Sequence, residues 1–131
     1  MRYILLMHGQ KSGVDEYMKW PKEAIERHFA GLRNMAKELS ESGEFVGTEG
    51  LDVPHQAKVV SAGKNGTPIT DGVFPESKEF LLGYWIVDVD SAERAYEIAA
   101  RISGMPGPNG PLGMPIEVRQ IMTHKAEACR D

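Results

Sequence analysis

The sequence predicts an α+β domain of ferredoxin-like type, with an antiparallel sheet and two helices on one face. Three observations predict it. Two short runs, residues 2–8 and 80–89, are apolar on both alternating sets of positions, the pattern of central strands covered on both sides. Two longer segments, 21–42 and 90–103, place apolar residues every three or four positions, as helices with one buried face do. These elements follow the order strand–helix–strand twice over, with a hairpin inserted between the halves. With right-handed crossovers that order gives βαββαβ with the first and third main strands at the centre.

Each element has a local reason. The run Tyr3, Ile4, Leu5, Leu6, Met7 ends at His8-Gly9. The polar stretch 9–20, with Gly13, reads as a loop. Pro21 suits a first helical turn, where its missing N–H is not needed. Ile25, Phe29, Leu32, Met35, Ala36 and Leu39 then form an apolar stripe, and Gly43 can take the left-handed conformation that ends the helix. Residues 44–51 read as a strand interrupted by Gly47 and Gly50. Residues 58–62 and 67–70 flank Gly63-Lys64-Asn65-Gly66, and Asn-Gly between β-prone runs is a hairpin signal. A turn-rich stretch, 71–78, precedes the aromatic and β-branched strand 80–89. Asp90 with Glu93 reads as a capping box, and Ala92, Ala95, Tyr96, Ala99 and Ile102 line the inner face of the second helix. The Gly/Pro-rich segment 103–115 reads as a loop, and 116–122 as a last strand with one polar face.

Composition limits the function classes. A chain of 131 residues is one domain by length, expected over residues 1–122 with a loose tail at 123–131. Apolar residues make up 41% and charged residues 26%, ordinary for a globular protein. A net charge of -4 with scattered Lys and Arg lacks the basic stripe of a nucleic-acid binder, and it disfavours an anionic membrane surface. No stretch approaches the roughly 20 apolar residues of a membrane span. The single cysteine, Cys129, has no partner for an internal disulfide, and the protein reads as cytoplasmic. No phosphate-binding loop, dinucleotide fingerprint or serine-hydrolase elbow is present, so no cofactor is expected. No H-x-x-x-H, H-x-H or D-x-D-x-D run offers metal ligands, and no metal is expected.

Two helices on one face leave the other face of the sheet uncovered. Its apolar side chains need a partner, and a two-fold homodimer is the simplest symmetric cover. A pocket for a small-molecule ligand then lies between sheet face and loops.

The segments MRYILLMHG, GEFVGTEGL, TDGVFPESKEFLLGYWIVDVDSAERAYEIAAR and IEVRQI, in this order and spacing, resemble the YCII-related proteins of the DGPF subgroup over residues 1–122. The resemblance implies a ferredoxin-like, dimeric α/β-barrel fold. It leaves the reaction open. Wider relatives are linked to small-molecule catabolism, with a His–Asp pair suggested as catalytic in some. Members encoded beside extracytoplasmic-function sigma factors hint at a regulatory role. One departure shows: Val73 stands where the family has proline, which removes a backbone lock, while Pro75 biases Phe74 toward extended conformations.

Several residues are candidates for chemistry. A cofactor-independent enzyme would use an acid–base pair, His28 with Asp71 or Glu49. Asp71-Gly72 also reads as an Asx-type turn, with Gly72 at positive φ. His28, beside Phe29, reads equally as a packing residue at the edge of the stripe. If it meets a carboxylate it can shuttle protons near neutral pH. For ligand binding the candidates are His8 at a central strand end, Phe74 and Trp85 (with Tyr84) as an aromatic wall, and Arg119 with Glu117 on the last strand. The competing reading is a non-catalytic dimeric binding or regulatory module.

Overall fold

The computed structural model describes residues 1–72 and 79–122. In chain order the elements are β1 (Arg2–Gln10), α1 (Lys11–Tyr17), α2 (Lys22–Glu41), β2 (Phe45–Gly50), the hairpin strands β3 (Lys58–Ala62) and β4 (Pro68–Gly72), β5 (Glu79–Asp88), α3 (Ala92–Ser103), a short ladder of β6 (Pro106–Gly107) with β7 (Gly110–Pro111), and β8 (Ile116–Gln120). The main sheet is antiparallel in the order β2-β5-β1-β8. The two runs apolar on both parities are thus its central strands. The fold is the α+β, ferredoxin-like arrangement expected.

Strand alternation divides the residues of the sheet between its two faces. Tyr3 and Leu5 of β1 and Trp85 and Val87 of β5 point toward the helices and are buried with Met35 and Leu39 of α2 and Ala95, Ile98 and Ile102 of α3. The alternate residues, Ile4, Leu6, Tyr84 and Ile86, point to the opposite face and are half-buried.

The helices differ from the sequence pattern in instructive ways. The buried stripe of α2 is Ala24, His28, Met35 and Leu39, and Phe29 stays 43% exposed. His28 is drawn inward because its ring bonds the carbonyl of Pro106, which turns the neighbouring Phe29 out. The stretch 9–20 holds the short helix α1 rather than a loop throughout. A helix of 7 residues has little intrinsic stability. It leans instead on an aromatic chain, Tyr17 to Trp20 at 5.0 Å and Trp20 to His28 at 5.7 Å between ring centres. In α3 the cap is Ser91, whose hydroxyl accepts from the Arg94 N–H at 3.2 Å, and not Asp90. Tyr96, expected on the inner face, is 55% exposed.

The hairpin turns through Asn65 (φ 59°) and Gly66 (φ 77°), both left-handed, as Asn-Gly allows. All ten of its strand residues are exposed. β4 runs on to Gly72, so Asp71 and Gly72 stand in ladder opposite Val59 and Lys58. Gly72 is extended and not among the positive-φ residues, unlike the expected turn geometry; residue 73, to which an Asx-type turn would bond, lies outside the described residues.

One ion pair ties the helical layer to the sheet edge. Arg94 of α3 donates from Nε and Nη2 to both carboxylate oxygens of Glu44, at 2.8 and 2.9 Å, just before β2. The hydrogen bonds from Arg94 hold the Glu44 carboxyl below its usual range, against the opposing effect of burial. Arg94→Ala should cost about 1.5 kcal/mol, the lower end for hydrogen bonds to charged groups, because part of the guanidinium remains in water. Because Glu44 titrates lower in the folded state, its contribution is present above the ordinary glutamate range and is lost as pH falls through the folded value. Urea titrations of wild type and Arg94→Ala should therefore converge toward acid. A difference independent of pH would contradict the assignment.

Candidate functional site

The open face of the sheet collects the polar groups that have no structural partner in the core. β8 runs antiparallel to β1 with Glu117 opposite Leu6 and Arg119 opposite Ile4. Alternation therefore puts Glu117, Arg119 and His8 on the same, helix-free face. His8 Nε2 lies 3.3 Å from Glu117 Oε1, and the other carboxylate oxygen lies 3.6 Å from Arg119 Nε. The imidazole is 28% exposed, so it is held yet reachable. With Nε2–H donating to Glu117, Nδ1 is left as a proton acceptor.

A β-bulge completes the neighbourhood. Met7 pairs with Gly83 but His8 pairs with Leu81, so Leu82 is an extra residue on β5. The bulge brings Leu81 onto the open face beside His8, a common device next to sites. Glu49 of β2 is opposite Tyr84, which is opposite Leu6. A row Glu49–Tyr84–Leu6–Glu117 thus crosses the sheet one step from His8. Beyond Leu81 lies a groove of about 410 Å³, lined by Leu51, Asp52, Val53, Pro54, Gln56, Ala57, Phe80 and Leu81.

The residues singled out from sequence fall in different places. His8, Glu49 and Arg119 share the open face. His28 lies in the other layer, 8% exposed, with Nδ1–H donating to the Pro106 carbonyl at 3.2 Å and its ring packed edge-on against Trp20 and Phe29. Among the described residues its ring pairs with neither Asp71 nor Glu49 nor any other carboxylate. Asp71 sits exposed on the hairpin. Trp85 is 1% exposed on the helix side, against Phe45 at 6.0 Å, and cannot wall a ligand on the open face. Phe74 and Val73 lie outside the described residues. Among those described, no three His, Cys, Asp or Glu side chains converge as metal ligands, and no helix is long and apolar enough to cross a membrane.

The His8–Glu117 contact joins a histidine and a carboxylate that sequence reading named separately. The signal was available in the topology. Once β8 is placed antiparallel beside β1, the start of one strand faces the end of the other.

Comparison with known proteins gives two findings. The YCII-related domain matches residues 1–106. An uncharacterized protein of Rhizobium meliloti (strain 1021) is 30% identical over 125 residues, 95% of each chain.

Burial of His28 lowers its pKa from the ordinary 6.5, and the hydrogen bond to Pro106 only partly offsets this. Protons then bind the unfolded chain more readily than the folded one below that pH. The neutral ring's contribution is complete above 6.5 and declines as pH falls from there through the lower folded-state value. His28→Asn keeps a donor for Pro106 but cannot titrate. Thermal melts should show the wild type losing stability relative to this variant below pH 6.5. A constant difference would show that His28 is not buried neutral.

Proposed function

Starting from the chain's membership of the YCII-related family, we propose that it binds a small molecule on the open sheet face and moves a proton with His8. The observation that carries this is the His8 Nε2 to Glu117 Oε1 contact at 3.3 Å on a half-buried, helix-free face. Glu117 orients the imidazole by accepting from Nε2–H, while Nδ1 takes a proton from the substrate and returns it. Arg119 fixes the far oxygen of Glu117. No cofactor is needed for such a step. The assembly is a homodimer with the two open faces toward each other, so that Ile4, Leu6, Tyr84 and Ile86 wall the site. The half-burial of these four side chains in the single chain supports this.

Two measurements check the reading. In deuterium oxide, a library of small carbonyl and hydroxyl compounds should yield at least one that loses a C–H proton signal in the presence of the protein. General acid–base groups contribute roughly 100-fold or more, so His8→Ala should slow that exchange by about that factor while His28→Asn leaves it intact. Compounds that bind but never exchange would instead make the protein a binding module. Native mass spectrometry at micromolar concentration should show a dimer, and Ile86→Arg should shift it toward monomer. A strictly monomeric wild type would overturn the dimeric arrangement.

A further inference from the structure

The hairpin β3–β4 buries none of its strand residues in the chain that carries it. All ten are exposed, and a two-stranded hairpin alone in water is marginally stable at best. Its composition makes that exposure costlier. Directly opposed residues share a face, so Val60, Ala62, Pro68 and Thr70 lie on one side and Val59 and Ile69 on the other. Val60 is 59% and Ile69 54% exposed. An antiparallel ribbon in water commonly keeps its wet face polar, and this one carries apolar side chains on both.

The hairpin also roots beside the open sheet face. The segment leading into it parts from the main sheet where the Leu51 N–H donates to the Leu82 carbonyl at 2.9 Å. After the hairpin the chain re-enters the sheet at Glu79, the start of β5, which carries Tyr84 and Ile86 on the open face. The two uncovered surfaces thus meet at the β2–β5 corner, and one partner can cover both.

Area selects that partner. The main sheet is four strands wide and paired over five residues, a footprint of roughly 330 Å² at about 4.8 Å per strand and 3.4 Å per residue. A stable interface buries roughly 800 Å² on each side, so the sheet face alone falls well short. One side of the hairpin, paired over five residues, adds roughly 160 Å². Two-fold symmetry counts the hairpin twice for each chain, once for its own arm and once for the surface that the other arm covers. The footprint then reaches roughly 650 Å² before side-chain relief is included, close to the standard size. Only a second copy supplies that doubling. Charge agrees with it: the hairpin carries Lys58 and Lys64 against Asp71, a positive surplus on a chain of net charge -4, which favours approach to another copy.

Resting on the dimeric reading above, we infer that the hairpin is an arm laid on the partner protomer. Each chain's Val59, Val60 and Ile69 are buried against the other copy, and the arms are exchanged around the facing sheets.

Val60→Lys combined with Ile69→Lys tests it, because both sites lie outside the core. Sedimentation equilibrium should show the dimer dissociation constant raised at least about tenfold, some 1.4 kcal/mol, with the far-UV circular dichroism unchanged. Wild-type protein, labelled and unlabelled in equal parts, should give intermolecular NOEs from the Val60 or Ile69 methyl groups, a readout that does not depend on the variant folding. A dissociation constant unchanged in the folded variant, or a wild-type dimer whose hairpin methyls give no intermolecular NOE, would overturn the inference. If Ile86→Arg still weakens that dimer, the facing-sheet reading stands without the arm. A strictly monomeric wild type would overturn both.

Discussion

Everything distinctive about this molecule follows from covering a sheet on one side. α2 and α3 supply enough apolar surface to bury Tyr3, Leu5, Trp85 and Val87. No described helix remains to do the same for Ile4, Leu6, Tyr84 and Ile86. An antiparallel sheet commonly tolerates a wet face when that face is polar. Here the two central strands are apolar on both parities, so the second face is a surface built to meet something. The proposed dimer, ligand and acid–base pair are three answers to that single requirement.

The polar groups on the open face are placed by register rather than by loops. The outer strand β8 brings Glu117 and Arg119 to the rim of the apolar rows, and β1 carries His8 one residue beyond its last pair with β8. Being on paired strands, they are held by the ladder itself, which suits groups that must keep a fixed geometry. The bulge at Leu82 then aims Leu81 at the mouth of the groove. Rigid strands therefore position the polar pair, while the less regular segment from Leu51 to Ala57 shapes the apolar wall.

Most of the architecture was legible in the sequence because hydrophobic period reports burial directly. The doubly apolar runs located β1 and β5, and the three-four spacing located α2 and α3. What was lost was local competition. The short helix α1 carries no apolar period and is visible only through its aromatic contacts to α2. Ser91 outcompetes Asp90 as a cap by one residue, a difference that periodicity does not resolve. Asp71-Gly72 looked like a turn by composition, yet the ladder to Lys58 and Val59 keeps it extended. At the site, sequence named His8 and Arg119 but joined His28 to Asp71 or Glu49, because helix faces and sheet faces cannot be told apart without the rotation of α2. His28 proves to be a clamp between α2 and the Pro106 segment. Glu117, the carboxylate beside His8, is not legible as its partner from sequence, since the pairing of β8 to β1 depends on strand order.

In the proposed assembly the open face is covered by a second copy and forms the wall of the site. The most direct test is an isotope-filtered NOE spectrum of labelled and unlabelled protein mixed in equal amounts. Cross-peaks are expected between the Ile4 and Ile86 methyl groups of one protomer and side chains of the other. Ile4 and Ile86 methyls that show no intermolecular cross-peak, in a sample where other residues do or where the protein is monomeric, would contradict it.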